Sequence, residues 1–276
     1  MEYIEVGGVS IPRLGYGTWH VKGAVAQRMV EDAIAAGYRH IDTAQVYENE
    51  ADVGAAIAAT GVARAELFLT TKVATTRFGE GDLQRSVEES LVRLGLDHVD
   101  LLLLHWPQPH PPLEETMAAI NAVHAAGLTR AIGVSNFPVV ELRRAAGLSA
   151  APIVTNQIEY HPYLAQQAQM AELERLGITL TAWSPLARGR IVDDAVIAAI
   201  ARRHGRTPSQ VVLRWLVQQP GVIAIPQTSN LGRMAENLRI FDFALGEDEM
   251  QAIHALASPD GRTGDWLHPA FEWDAA

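Results

Sequence analysis

Eight short apolar runs, each ending in polar residues and each followed by an amphipathic stretch, most narrow the folds open to this chain. They are RLGYGT (13–18), YRHIDTA (38–44), LFLTTKV (67–73), VDLLLLHW (99–106), AIGVSN (131–136), IVTNQIEY (153–160), LTAWSPL (180–186) and VIAIPQT (222–228). Near-continuous apolar strands are buried on both faces, which happens when helices cover a parallel sheet. The intervening stretches carry helical spacing. Leu83, Val87, Leu91 and Leu94 step by 4, 4 and 3, and Leu113, Met117, Ile120 and His124 by 4, 3 and 4. Gly37, Gly61, Gly95, Gly127, Gly147, Gly177 and Gly205 fall where a helix ends in a left-handed residue. Thr207-Pro208 reads as an N-cap followed by proline at the first helical position.

Eight strand–helix units in 276 residues predict an α/β chain closed into a (β/α)8 barrel, which needs about 250 residues. At the start, YIEV, Gly7-Gly8 and VSIP read as a β-hairpin plugging the bottom of the barrel. At the end, DGRTGDWLHPAFEWD (260–274) reads as a short irregular tail near the mouth. With no linker or low-complexity tract, a single domain over 1–276 is expected. An open dinucleotide-binding sheet would show G-x-G-x-x-G after its first strand. Here Gly15-Tyr16-Gly17-Thr18-Trp19-His20 lacks the third glycine, so a dinucleotide would have to bind in a barrel mouth.

The chain has no cysteine, which excludes disulfides, thiolate nucleophiles, Cys-ligated zinc and iron–sulfur clusters. A redox step must therefore run through a bound cofactor. A formal charge of −10 disfavours nucleic-acid and anionic-membrane partners. The N-terminus carries acids where a signal peptide carries bases, and no apolar stretch approaches the roughly 20 residues that span a bilayer. A cytoplasmic monomer is expected.

In such barrels the chemistry sits at the C-terminal ends of the strands. The polar residues there are Asp42 and Tyr47, Lys72, His105, Ser135 and Asn136, Gln157, Trp183 and Ser184, and Gln227, Thr228 and Ser229; the barrel predicts all of them buried or nearly so. Each alone has a plainer use: Asp42 as a helix cap, Tyr47 as a surface phenol, Lys72 reaching to solvent, His105 as a satisfied core imidazole. Together they form a proton-handling set. A phenol ordinarily titrates near 10, an ammonium beside it favours the phenolate, and a carboxylate keeps that ammonium charged and placed. An imidazole donor can orient a carbonyl oxygen. Protonating an alkoxide as it forms is what hydride reduction of a carbonyl requires.

At these residues the chain resembles the aldo-keto reductase superfamily. The match runs in order through GYGTW, GYRHIDTAQVYENEADVG, LFLTTKV, VDLLLLHWP, LTRAIGVSNF, NQIEYHPY, WSPL and IPQTSN…ENL, over essentially the whole length. It is most similar to the short bacterial 2,5-diketo-D-gluconate and methylglyoxal reductases of that superfamily. The resemblance implies NADPH-dependent reduction of a small aldehyde, ketone or α-dicarbonyl to the alcohol. It makes Tyr47 the general acid, Lys72 the group lowering its pKa, Asp42 the partner of Lys72 and His105 the carbonyl-orienting donor. It implies that Ser135, Asn136 and Gln157 hold the nicotinamide carboxamide and that Trp183 stacks on the ring. Ser184, Pro185 and Leu186 would line the pyrophosphate path, and Thr228, Ser229, Arg233, Glu236 and Asn237 the adenosine end. Thr18, Asp42 and Gln227 join the cofactor-binding set, and Trp19 and Trp106 wall the substrate pocket together with Tyr47 and His105. Many NADPH-preferring members read Ile-Pro-Lys where this chain has Ile225-Pro226-Gln227. Gln cannot supply the charge a 2′-phosphate wants, but Arg233 can grip a phosphate bidentately, so NADPH preference with some NADH use is expected.

Two other classes use the same fold. A metal-dependent barrel hydrolase would need clustered ligands; His105, His110 and His161 form no H-x-H or H-E-x-x-H pattern, and no metal is expected. A noncatalytic cofactor-binding module would not need all four catalytic positions filled.

Overall fold

The computed structural model describes residues 1–79, 81–258, 260–264 and 273. The chain opens with a hairpin of β1 (Tyr3–Val6) and β2 (Val9–Pro12). Gly7 and Gly8 turn it with φ of +54° and +83°, the left-handed pair that a two-residue type I′ turn requires. Eight parallel strands follow: β3 (Tyr16–Gly17), β4 (His40–Asp42), β5 (Phe68–Val73), β6 (Val99–Leu104), β7 (Thr129–Ser135), β8 (Ile153–Glu159), β9 (Thr179–Trp183) and β10 (Val222–Ala224). They pair in sequence order, each within one of the eight predicted runs or overlapping it. A parallel bridge from Leu14 to Ala224 joins the first strand to the last and closes the (β/α)8 barrel.

The hairpin fills the closed end. Its Ile4, Val6 and Val9 pack on a cluster of Ile11, Phe68, Leu101, Leu103, Ala131 and Ile223 inside the barrel floor. Period-two alternation then carries the same strand faces upward from apolar to polar: Phe68, Thr70, Lys72 on β5, and Thr155, Gln157, Glu159 on β8. On β5 the change from Phe68 to Lys72 puts hydrocarbon at the floor and charge at the mouth, while His40, bonded to Thr70, is a polar residue low on β4.

Outside the strands lie α1 (Gly23–Ala36), α2 (Glu50–Ala59), α3 (Asp82–Leu94), α4 (Leu113–Ala125), α5 (Val139–Leu148) and α6 (Gln167–Leu176). Two helices, α7 (Ala195–His204) and α8 (Pro208–Gln218), separate β9 from β10, and α9 (Leu231–Asn237) and α10 (Glu247–His254) follow β10. Contacts show that α8 covers β10, α9 bridges α8 and α1 to complete the ring, and α10 packs on α7. The helix faces named by spacing are the buried ones on α3: Leu83, Val87, Leu91 and Leu94. On α4 the fourth place differs. Val123 is buried, while His124 is only partly covered and its Nε2 lies 3.2 Å from the Arg130 carbonyl oxygen.

Gly37, Gly95, Gly177 and Gly205 close their helices in left-handed conformation, and Gly61 and Gly127 take positive φ one residue beyond a helix cap. Gly147 does not. It lies inside α5, whose end is the extended Ser149. The Thr207 prediction holds: its hydroxyl accepts from the Gln210 N–H, and the Gln210 side chain returns to the Thr207 N–H at 3.1 Å. Among the described residues no helix is long and apolar enough to cross a membrane. Of the predicted tail, 260–264 and Trp273 are described; Trp266 lies outside the described residues.

Candidate active site

Four of the predicted side chains meet above β4, β5 and β6. Lys72 reaches Asp42 Oδ1 at 2.5 Å, the Thr43 carbonyl at 2.8 Å and the Tyr47 hydroxyl at 3.4 Å. An ammonium has three donors, so this set satisfies all of them. Neither Lys72 nor Asp42 is more than 2% accessible, so the Lys does not reach to solvent and the Asp caps no helix. The Tyr47 ring stands edge-on to the His105 imidazole with centroids 5.8 Å apart. His105 sits just past β6, continuing the inward face of Leu101 and Leu103.

Tyr47 is placed by residues that spacing does not single out. It ends a short 3-10 turn, Gln45–Tyr47, and Glu48 after it is left-handed at φ +56°. Gln45 pins one side of the turn, accepting from the Ala74 N–H at 2.8 Å and donating to the Ser86 and Ser90 hydroxyls. Asn49 pins the other, donating to the Thr18 and Val21 carbonyls at 2.9 Å each and accepting from the Thr43 hydroxyl. The Thr18 hydroxyl itself donates to the Asp42 carbonyl at 3.0 Å.

Burial pushes the Tyr47 phenol above its ordinary pKa; Lys72 pulls it down and Asp42 pushes it up again, and the net direction is upward. The ammonium does act on the phenol as the sequence suggests, but desolvation is the larger effect. Burial also presses Lys72 towards the neutral amine, and Asp42 and Tyr47 more than offset it, so its pKa rises. Lys72 therefore stays charged and Tyr47 stays protonated at neutral pH.

A second chain of contacts links β7, β8 and β9. The Gln157 amide donates to Asp42 Oδ2 at 2.7 Å, tying it to the first group. The Ser135 hydroxyl donates to the Gln157 carbonyl at 2.8 Å. Asn136, left-handed at φ +61°, donates to the His105 carbonyl at 3.0 Å and accepts from the Trp183 indole N–H at 2.9 Å. Beyond Trp183 the backbone is strained: Ser184, Ala187 and Arg188 all have positive φ, of 48°, 45° and 54°. Pro185 is buried and Leu186 partly so. Arg188 lies with its guanidinium carbon 5.6 Å from the Trp19 ring centroid, and Trp106 packs edge-on to Trp273 at 6.0 Å.

The predicted residues of the far end separate by exposure. Gln227, Ser229 and Arg233 are exposed, Thr228 and Glu236 partly covered, and Asn237 buried. The expectation of burial fails for Gln227 and Ser229 because β10 ends at Ala224 and the chain has left the barrel by then. Asn237 hydrogen-bonds the Tyr38 hydroxyl, and the Tyr16 hydroxyl donates to the Thr228 carbonyl at 2.9 Å.

The sequence does not single out Gln45, Asn49, Glu159, Thr263 or Gly264, and it offers His161 only as a metal ligand to be dismissed. Glu159 was within reach, since it is two residues past Gln157 on the same strand face. The partners of Glu159, 104 and 105 residues away, carry no local signal. Among the described residues no three His, Asp or Glu side chains gather as metal ligands.

A buried phenol–ammonium–carboxylate group at the strand ends of a (β/α)8 barrel, with amide side chains and an indole beside it, defines the class of barrel oxidoreductases that work on a bound organic cofactor. The aldo/keto reductase family matches residues 13–258. A methylglyoxal reductase DkgB of Escherichia coli O157:H7 is 40% identical over 267 residues, covering 94% of this chain and all of that protein. A glyoxal reductase of Bacillus subtilis is 42% identical, covering 93% of this chain and 92% of its own. The solved structure assigned as a 2,5-diketo-D-gluconic acid reductase B superposes with a TM-score of 0.97 at 47% identity, over 100% of this chain and 98% of that one. A variant of Gox0644 solved in complex with NADPH superposes at 0.88 with 38% identity, over 96% and 95%. The chain belongs to the aldo/keto reductase family and is an oxidoreductase.

Proposed function

We propose that this protein reduces a small aldehyde, ketone or α-dicarbonyl to the alcohol, reversibly, with NADPH as the hydride source. The observation that carries the reading is the Lys72 ammonium bonded at once to Asp42 and to the Tyr47 hydroxyl. The names of the methylglyoxal and glyoxal reductases point to small dicarbonyls as the first substrates to try.

The residues present suit a nicotinamide dinucleotide. Side-chain amides and a hydroxyl at Asn136, Gln157 and Ser135 match a carboxamide, which both donates and accepts. The Trp183 ring offers a flat apolar face. Exposed Arg188 and Arg233 are available to phosphates, with Ser184, Pro185, Leu186, Thr228, Ser229 and Glu236 along the path. When bound, the cofactor supplies a hydride from C4 of its nicotinamide to the carbonyl carbon.

His105 orients the carbonyl oxygen between itself and Tyr47, with Trp19 and Trp106 as the apolar walls. Tyr47 gives its hydroxyl proton to that oxygen as negative charge develops there. The resulting phenolate is held by the Lys72 ammonium, which Asp42 keeps charged, until solvent returns the proton. We further propose that it works as one domain over 1–276, as a monomer in the cytoplasm.

Loss of NADPH absorbance with methylglyoxal, glyoxal and larger carbonyls tests the activity. In Tyr47→Phe, turnover should fall roughly a hundredfold to ten-thousandfold with NADPH binding retained. A variant that keeps most of its kcat removes Tyr47 from the role.

A further inference from the structure

Glu159 ends β8 with a side chain that is fully buried, and it takes no part in the contacts around Lys72. Its carboxylate faces the tail instead. Oε1 accepts from the Thr263 N–H at 2.8 Å and also bonds the Thr263 hydroxyl; Oε2 accepts from the Gly264 N–H at 3.1 Å. His161 Nε2 stands 3.1 Å from Oε1, and Gln166 donates to the Glu159 carbonyl at 2.7 Å, so the strand end is held as well. The tail is seated closely elsewhere: the Ser258 N–H donates to the Tyr163 carbonyl, and a Cβ at Gly261 would fall 1.6 Å from that same oxygen.

What the anchored residue touches is Trp183. A Cβ on Gly264 would lie 2.6 Å from Trp183 Cη2 and 3.4 Å from Cζ2. The indole is thus fixed at both ends, by Asn136 Oδ1 on its N–H and by the Gly264 backbone on its benzo edge.

We propose that Glu159 is a positioning residue for the cofactor: by holding Thr263 and Gly264 it sets the tail against Trp183 and fixes the plane on which the nicotinamide rests. The proposal depends on the reading above that Trp183 carries the nicotinamide ring. A carboxylate is needed because the three groups that Thr263 and Gly264 turn towards it are all donors. Glutamine at the same place turns an NH2 towards one of them and leaves a buried donor unmatched.

The test is a double-mutant cycle on NADPH affinity, measured by calorimetry on the full chain. Trp183→Ala should weaken NADPH roughly tenfold through loss of ring stacking, and Glu159→Gln about fivefold. Added to Trp183→Ala, Glu159→Gln should cost less than about twofold more, since its effect passes through the missing indole. A Glu159→Gln chain that binds like the parent, or a loss that persists undiminished without Trp183, overturns the proposal. If Trp183→Ala alone leaves affinity unchanged, the reading of Trp183 fails and the proposal with it. Should Glu159→Gln not fold, Gly264→Ala probes the same contact: its Cβ would fall 2.6 Å from the indole against 3.2 Å from Glu159 Oε2, so the indole must move the more. That variant should weaken NADPH comparably, and only where Trp183 is present; unchanged affinity overturns the proposal.

Discussion

At the scale of single residues, opposing influences on Tyr47 set how the rate in each direction depends on pH. Burial raises the phenol and the Lys72 ammonium lowers it, with burial the larger. Reduction needs the protonated phenol, so its rate should stay flat through neutral pH and fall only as pH rises through a value above the ordinary 10 or so. Oxidation of an alcohol needs the phenolate, so that rate should climb over the same range. Lys72→Met removes the lowering influence. Both limbs should move to higher pH, and alcohol oxidation near pH 9 should drop by about tenfold or more for each unit of displacement. Full pH profiles in both directions check this; limbs that stay in place would mean that the ammonium does not govern the phenol. The same substitution leaves the buried Asp42 carboxylate with Gln157 but no counter-charge, at a cost of about 3–5 kcal/mol. A lower Tm should accompany the shift.

At the scale of elements, what could be seen in the sequence follows from what each element buries. The strands were visible because they are apolar on both faces, and Asp42, Lys72 and His105 because they interrupt that pattern at its polar end. Gly147 was misread for a physical reason: the end of α5 is held from outside it. Ser149 bonds the Ala151 carbonyl at 2.7 Å and Asn121 on α4 accepts from the Ala151 N–H at 2.8 Å, so no left-handed glycine is needed. Helices α9 and α10 have no place in the strand–helix alternation that makes the other elements legible, whereas Gly205 marks the end of α7. Two glycines inside helices give a direct check. Gly54 on α2 approaches α3 so closely that a Cβ would fall 2.2 Å from the Leu94 carbonyl oxygen, whereas a Cβ on Gly147 meets nothing within 4 Å. Helix propensity favours Ala at both by up to about 1 kcal/mol. At Gly54 the clash is with backbone and cannot relax by a rotamer change, and overpacking costs about 1–3 kcal/mol. Urea unfolding should therefore show Gly147→Ala stabilised and Gly54→Ala destabilised; two substitutions of the same sign would show that the helix packing is other than described.

At the scale of the whole molecule, closure of the barrel and binding of the cofactor fall on the same strands. The join beside β3 and β10 is short: the bridge at Leu14 and Ala224, backbone bonds from Gly15 to Ala224, Ala224 to Arg13 and Gly17 to Pro226, and the Tyr16 bond to Thr228. The residues proposed for the dinucleotide are Thr18 and Asp42, beside β3 and β4, and a set that runs from β7 through β10 to α9, so a bound cofactor would tie the end of the chain to the first strands. Ligand that binds only the folded chain adds about 2.7 kcal/mol at a hundred times its Kd. For a domain somewhat larger than 200 residues, each kcal/mol is worth about 2–4 °C, so saturating NADPH should raise Tm by several degrees without any carbonyl substrate. NADH separates the role of Arg233 from that of the rest of the site. It lacks the 2′-phosphate, and exposed Gln227 offers no charge in place of the lysine common elsewhere, so on the function proposed above the discrimination would fall to Arg233 with Thr228 and Ser229. A tenfold weaker grip is about 1.4 kcal/mol, so at equal concentrations NADH should shift Tm by a few degrees less. Arg233→Ala should bring the two shifts together by lowering that of NADPH alone. An NADH shift larger than that of NADPH, or an Arg233→Ala chain that still tells them apart, would move phosphate recognition away from α9.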